Sequence, residues 1–201
     1  MIANEKQAQQ VVISYMGGFA WPTVLLLATC VGVYGACVWH LVTDPHFSWW
    51  VVAGISFCAY AAYTPVHEAV HGAITGMSIT LRWVNEWAGF IAAHLLGVSF
   101  IAHRRGHLNH HRATNHPEDD PDMPFSAKSL PAVIAMWFKG IPKEWIFAVT
   151  FKHFTAAEKR TVVLEYVAIF VTRALLLIYC ADLGVTLVTL VSGYIIGNAV
   201  L

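Results

Sequence analysis

Long apolar stretches constrain the fold of this chain more than any other feature. Four of them approach or exceed the ~20 residues that a helix needs to cross a membrane, and they cover about residues 19–42, 47–66, 161–181 and 185–201. The chain has 201 residues, of which 57% are hydrophobic and 12% are charged, whereas charged residues make up roughly 25% of a typical soluble domain. We therefore expect an all-α integral membrane protein with four transmembrane helices.

Small residues recur at helical spacing in two of these stretches. Gly193 and Gly197 are four residues apart in the last stretch, and Ala28, Gly32 and Ala36 form a similar stripe in the first. Small side chains let helix backbones approach closely within a membrane. Both stripes therefore predict faces at which helices pack together.

Basic residues predict the side of the membrane that each loop faces. Nine of the twelve Lys and Arg residues lie between His103 and Arg160, and the two short links at residues 43–46 and 182–184 contain none. Because cytoplasmic loops carry an excess of Lys and Arg, we expect the large middle region to face the cytoplasm and both links to face outward. No internal repeat or linker divides the sequence, so residues 1–201 are expected to form a single membrane domain.

Histidines are concentrated in the middle of the chain, where eight of the eleven fall between residues 67 and 116. One cluster places two imidazoles a helical turn apart, and a second places four within an arc of roughly 100° on one helix face. The clusters consist of His67 and His71, and of His103, His107, His110 and His111. Imidazole is a ligand for Fe, Zn, Cu and Ni, and six imidazoles exceed the needs of one tetrahedral zinc. The pattern predicts a metal site at the membrane surface.

A solvated loop near lipid headgroups is the alternative explanation, and it suits lone histidines such as His40, His46 and His153. It does not explain the two clusters, because six histidines on shared helix faces would repel one another when protonated. His94 lies on an apolar face, and we expect it not to be a metal ligand.

A fifth apolar stretch, residues 83–102, carries Glu86 and His94 and lies between the two histidine clusters. If both clusters share metals, they must lie on the same side of the membrane, so this stretch cannot cross once. We expect it to lie in the interface or to re-enter the membrane. Tryptophans mixed with lysines predict further interfacial helices across residues 131–154.

Acidic residues follow the second histidine cluster. Asp120 and Asp122 are candidates for partners that orient the ligating imidazoles, since metal-bound histidines commonly donate their second ring N–H to a carboxylate. Glu118 and Asp119 are expected to be solvated.

The segment His67-Glu68-Ala69-Val70-His71 also satisfies the HExxH pattern of zinc metalloproteases, in which two histidines bind zinc and the glutamate is the general base. A membrane zinc protease built on His67, Glu68 and His71 is therefore an alternative. Such an enzyme needs only one further ligand, which leaves the second cluster unexplained. A metal-binding membrane protein without enzymatic activity is a third alternative.

The two clusters together resemble the histidine boxes of the membrane fatty acid desaturases and hydroxylases. The first box is His67-x-x-x-His71, and the second is His107-x-x-His110-His111, which continues through Asn115 to Asp120-Pro121-Asp122. Within that superfamily the chain is also similar to the β-carotene ring hydroxylases. The resemblance covers essentially the whole chain, although outside the boxes it is mainly one of hydropathy.

This resemblance implies a site of two non-haem iron ions on the cytoplasmic face of a four-span bundle, with O₂ as co-substrate. The implied reaction is desaturation or hydroxylation of a lipid, with a fatty acyl chain as the first expectation and β-carotene as the alternative. Electrons would come from an external donor such as ferredoxin, rubredoxin or a cytochrome. The sequence contains no GxGxxG, P-loop or haem-attachment motif, which agrees with an external donor.

The resemblance also implies the iron ligands and the residues behind them. His103 precedes the usual second box and is therefore a secondary candidate. The expected iron ligands are His67, His71, His107, His110 and His111, with Asn115, Asp120 and Asp122 in contact with the ligands. The family has a third box, also of the form HxxHH, after the last pair of spans, and no second copy of this pattern follows residues 107–111 in this sequence. We therefore expect these 201 residues to be part of a longer protein and to be inactive alone.

Overall fold

A computed structural model describes residues 18–76, 78–116, 118–122, 129–137, 140–150 and 154–200 of the chain. These residues are helical and contain no β-strand, which confirms the expected all-α fold. A 3₁₀ turn, Ala73–Thr75, follows the third helix. The helices are α1 (Trp21–Thr43), α2 (Trp49–Ala61), α3 (Tyr63–Val70), α4 (Arg82–Leu96), α5 (Phe100–Ala113), α6 (Leu130–Trp137), α7 (Gly140–Thr150), α8 (Ala156–Tyr179) and α9 (Leu183–Val200).

Three helical segments in the described part of the chain are long and apolar enough to cross a membrane. They are Trp21–Thr43, Trp49–Val70 and Ala156–Tyr179, which correspond to the first three predicted spans. The second combines α2 and α3 across a slight irregularity at Ala62. The fourth predicted span is the shorter apolar helix Leu183–Ala199 within α9, so a fourth crossing remains a prediction.

The predicted interfacial region corresponds to two separate helices, α6 and α7. Residues 138, 139 and 151–153, and therefore His153, lie outside the described residues. The position of α6 and α7 relative to the membrane remains a prediction from their composition.

The fifth apolar stretch is not one straight helix, because α4 and α5 are bent by 98° relative to each other. Gly97 ends α4 in the left-handed conformation (φ 79°). Its N–H donates to His94 O at 3.2 Å, and the Val98 N–H donates to Ala93 O at 3.0 Å, the pattern of a Schellman C-terminus. Ser99 then begins α5, and its hydroxyl oxygen accepts from the Ala102 N–H at 3.1 Å. The bent pair has the shape of a broken span or a re-entrant segment.

A glycine lets the two arms of this bend pack against each other. Gly89 lies in α4 opposite the ring of Phe100, the first residue of α5. A Cβ at Gly89 would lie only 2.1 Å from that ring. Phe100 is buried in the main core beside Cys58, Val66 and Ala92, so the bend is part of the core between α2, α3 and α4.

Close packing by small residues occurs at one of the two predicted stripes. Cβ atoms at Gly193 and Gly197 of α9 would lie 2.6 Å from Ile55 and Ala59 of α2, which confirms the prediction for that stripe. The prediction for the stripe of Ala28, Gly32 and Ala36 was wrong. Those residues are exposed, and nothing in the described part of the chain lies within 4 Å of a Cβ at Gly32, because α1 packs through its opposite face.

Backbone contacts define two ends of the helix bundle. At one end, the Ala181 N–H after α8 donates to Leu41 O near the end of α1 at 2.9 Å. At the other end, the Ala20 N–H donates to Ile74 O at 2.8 Å, just after His71. The short link at residues 43–46 therefore lies at the end of α1 opposite the first histidine cluster, roughly 34 Å away along this 23-residue helix.

Candidate metal centre

Four histidines converge where α3 meets α5. Each offers a ring nitrogen, and these nitrogens all lie within 4.8 Å of one another. The four are His67, His71, His107 and His111. Two come from each helix at i, i+4 spacing, which places each pair on one helix face. The structure thus brings four of the six predicted histidines into a single group, which we call the four-histidine group.

The distances within the four-histidine group suit a shared metal ion. His107 Nε2 lies 3.1 Å from His71 Nε2 and 2.9 Å from His111 Nε2. Two nitrogens bound to one ion at about 2.1 Å and at right angles are separated by about 3.0 Å. The ring of His67 is 4.6 Å from that of His107, centroid to centroid. The donor set can therefore hold a metal ion without a large rearrangement.

Burial and crowding keep His107 and His71 neutral. Burial, followed by the neighbouring imidazoles of His103, His67, His111 and His71, lowers the pKa of His107 to about 4. Burial, followed by the proximity of His111, also lowers the pKa of His71. A neutral imidazole is the form that binds metals, so His107 and His71 are prepared for ligation near neutral pH.

Beside this group, His110 forms a second cluster with Asp120 and Asp122. His110 Nδ1 lies 2.8 Å from Asp120 Oδ1 and 3.4 Å from Asp122 Oδ2. Asp120 also accepts hydrogen bonds from the backbone N–H groups of Asn115 at 2.7 Å and Asp122 at 2.8 Å. Asn115 thus takes part through its backbone, in the left-handed conformation (φ 62°).

Asp120 is the most constrained acid of this cluster, with only 2% of its side chain exposed. Desolvation raises the pKa of its carboxyl group, but the hydrogen bonds from His110, Asp122 and Asn115 outweigh this effect and lower the pKa to about 2. Asp120 is therefore ionised at neutral pH, and it fixes the ring orientation of His110.

The other two histidines of interest lie outside the four-histidine group. His103 is buried one turn before His107, and the two rings stack with 5.8 Å between centroids. The Nε2 of His94 instead faces α8, at 3.1 Å from Thr172 Oγ1 and 3.4 Å from Arg173 Nη1.

Glu68 is held by a residue that the sequence analysis did not identify. The hydroxyl of Thr23, in the first turn of α1, donates to Glu68 Oε2 at 2.9 Å. In a zinc protease this glutamate acts as the general base on metal-bound water. The 45-residue separation of the two partners leaves no sequence signal for this contact.

Ion pairs that the sequence analysis also missed anchor the histidine-bearing helix α5. Arg104 donates to both carboxylate oxygens of Glu86 in α4 at 2.8 Å, and its guanidinium lies 4.3 Å from the centre of the Phe100 ring. Arg105 donates to Glu158 of α8 at 2.7 Å. These contacts attach α5 to two neighbouring helices.

Comparison with known proteins agrees with this geometry. The model of the fatty acid desaturase family matches residues 45–201, which include both histidine clusters. The chain belongs to the fatty acid desaturase family. Together with its apolar helices, this membership makes it an integral membrane protein, and it confirms the resemblance identified from the histidine boxes.

One similar protein is zeaxanthin 4-ketolase from Chlamydomonas reinhardtii, which is 31% identical over 136 residues. The aligned region covers 62% of this chain and 29% of that protein, so the chain spans less than a third of this relative. No solved structure matches the chain.

Proposed function

We propose that this chain carries the metal centre of an O₂-dependent lipid desaturase or hydroxylase. The observation that carries the proposal is the four-histidine group, whose ring nitrogens lie within 4.8 Å of one another in a member of the fatty acid desaturase family. Two iron ions, when bound, supply the O₂ chemistry that attacks an unactivated C–H bond. The alternative of a zinc protease is less consistent with membership of the fatty acid desaturase family.

The candidate histidines have different proposed roles in binding the irons. His67, His71, His107 and His111 offer nitrogens to a common position. His110 adds a fifth ligand from the adjacent turn of α5, and Asp120 directs its Nε2 by holding its Nδ1. Asp122 and the backbone of Asn115 support Asp120. His103 remains a secondary candidate, because it lies outside the four-histidine group.

An apolar cavity supports a lipid as the substrate. It has a volume of about 330 Å³ and lies between α4, α5 and α8. Most of its lining is apolar and includes Trp87, Phe90, Phe100, Leu164 and Ile169. A fatty acyl chain is the first candidate substrate. A carotenoid is the second, because the similar protein from Chlamydomonas reinhardtii is a zeaxanthin ketolase.

The proposal includes a cytoplasmic site and an external electron donor. The concentration of basic residues around the second histidine cluster supports the cytoplasmic orientation. A ferredoxin, a rubredoxin or a cytochrome would deliver electrons at that face.

Product analysis tests the proposed function in the natural protein that contains these residues. The protein is supplied with iron, a reducing system and O₂ in membranes that contain fatty acyl lipids and carotenoids, and the extracted lipids are analysed by mass spectrometry. We expect a new double bond, hydroxyl or keto group in one lipid class with the wild type. The variant His107→Ala should give none, because it removes the residue at the centre of the four-histidine group.

A matched control is His46→Ala, which changes an exposed histidine in the link at the opposite end of α1. It should oxidise lipid at the wild-type rate. Lipid oxidation that persists in His107→Ala, or peptide cleavage without any oxidised lipid, would show that the proposed function is wrong.

A further inference from the structure

After the charged first turns of helix α8, its apolar part, residues 161–179, carries two charged residues, Glu165 and Arg173. Their eight-residue separation corresponds to roughly 12 Å along the helix axis, which is too far for an ion pair between them. Charged residues in a membrane span are costly and are usually retained for a function. Both side chains reach the same feature, the break between α4 and α5.

Arg173 binds the end of α4. Its Nη2 donates to His94 O at 2.8 Å and to Leu95 O at 3.5 Å. The hydroxyl of Tyr194, from α9, also donates to Leu95 O at 2.8 Å. The last carbonyls of a helix lack donors within the helix, and a positive charge there is favourable. Arg173 therefore supplies both the donors and the charge that this terminus needs.

Glu165 binds the start of α5. Its Oε2 accepts a hydrogen bond from the Ser99 hydroxyl and one from the Ile101 N–H, the latter at 3.4 Å. The first amides of a helix lack acceptors within the helix, and a negative charge there is favourable. Arg173 and Glu165 thus each meet the helix terminus of opposite polarity.

The Gly97 carbonyl within the break is also occupied. Trp145 Nε1, from α7, donates to Gly97 O at 3.1 Å. Non-helical backbone within a membrane is tolerated only where protein or water satisfies its polar groups. Side chains from α7, α8 and α9 form hydrogen bonds with polar backbone groups at this break. The break is therefore stabilised by the rest of the fold.

We propose that Glu165 and Arg173 form a clamp that fixes the 98° angle between α4 and α5 and thereby positions the metal-binding face of α5. His107 and His111 lie on α5, whereas His67 and His71 lie at the end of α3. The angle at the break therefore decides whether the two histidine pairs meet. The clamp residues are positioning residues that make no described contact with the candidate metal-binding histidines, although Glu165 also lines the apolar cavity. Their role rests on the proposed metal centre.

Cobalt titration of the natural protein that contains these residues, purified in detergent, tests this clamp without requiring activity. Co²⁺ bound to imidazoles gives a visible absorption band that depends on ligand geometry. In Glu165→Ala we expect a shifted band and a Co²⁺ affinity about tenfold weaker, similar to the loss of a partner that orients a ligand. Glu165→Gln keeps an acceptor oxygen and should restore most of the affinity and the wild-type band.

Two further variants separate positioning from general stability. Val163→Ala changes an exposed residue of the same helix and should leave the band and the affinity unchanged. Arg173→Met should weaken Co²⁺ binding like Glu165→Ala. The double variant should bind about as weakly as the weaker single variant, because both residues act on one break and their effects are not independent.

The outcomes distinguish the clamp from the metal centre. If the wild type binds Co²⁺ and Glu165→Ala binds it with the same affinity and band, the clamp is overturned, even if the variant unfolds at a lower temperature. If the wild type binds no Co²⁺, the proposed metal centre fails and the clamp fails with it.

Discussion

At the scale of single residues, His107 has the central position in the proposed metal centre. Its Nε2 is near the Nε2 atoms of both His71 and His111, and its ring also contacts that of His67. Its low pKa, caused by burial and by the neighbouring imidazoles, keeps it unprotonated at neutral pH. Asp120 plays a different part, because all of its described contacts hold His110 and the end of α5 in place.

Replacing Asp120 tests this orienting role. Asp120→Asn keeps an acceptor oxygen for the backbone amides but removes the negative charge that His110 Nδ1 contacts. We expect iron or Co²⁺ affinity to fall roughly 10- to 100-fold, as is typical when a partner of a ligating histidine is changed. Metal titration of the folded variant measures this loss.

Asp119→Asn is the matched control, since the Asp119 side chain is 71% exposed and contacts His116 rather than the four-histidine group. It should bind metal like the wild type. Unchanged affinity in Asp120→Asn would mean that Asp120 only stabilises the end of the helix.

The sequence predicted the candidate metal-binding histidines better than it predicted the residues that surround them. Spacing alone placed His67 with His71 and His107 with His111, because i, i+4 pairs share a helix face. Contacts such as Thr23 with Glu68 depend on how distant helices pack, and no local pattern encodes that packing. The intramembrane charges Glu165 and Arg173 were visible in the sequence, but their targets were backbone groups, which composition does not reveal.

At the scale of helices, glycines allow close approaches between neighbouring helices. Gly89 admits the Phe100 ring into the bend, and Gly193 and Gly197 bring α9 against α2. The sequence predicted the α9 face but also an α1 stripe that packs against nothing in the described part of the chain, because spacing does not specify which face has a neighbour. The break after α4 had a readable signal, since Gly97 followed by Ser99 matches a helix stop and a helix start.

Gly197→Ala tests the packing of α9. Its Cβ would lie 2.6 Å from Ala59 Cβ and 2.7 Å from Ser56 O, so α9 must move away from α2. Overpacking of this kind costs about 1–3 kcal/mol. We expect the apparent unfolding temperature in detergent to fall by several degrees, at roughly 2–4 °C per kcal/mol for a chain of this size.

Gly32→Ala provides the comparison, because Gly32 is also in an apolar helix but has nothing within 4 Å of its Cβ position. It should be neutral or slightly stabilising, since alanine favours helix more than glycine does. Equal unfolding temperatures for both variants would contradict the close approach of α9 and α2.

At the scale of the whole molecule, the fold places the four-histidine group at one end of α1 and the link at residues 43–46 at the other. The bonds from Ala181 to Leu41 and from Ala20 to Ile74 define these ends. The bent pair α4–α5 lets both histidine clusters reach the same end, as a shared metal site requires. This arrangement depends on the break between α4 and α5. Hydropathy alone would have counted the apolar stretch that contains this break as a further span.

The number and identity of the bound metals test the central claim most directly. The natural protein that contains these residues is reconstituted with iron under anaerobic conditions, and its metals are counted by elemental analysis. The account predicts about two iron ions per chain, as in other two-metal sites, and their loss in His107→Ala but not in His46→Ala. One tightly bound zinc, or no metal at all, would contradict it.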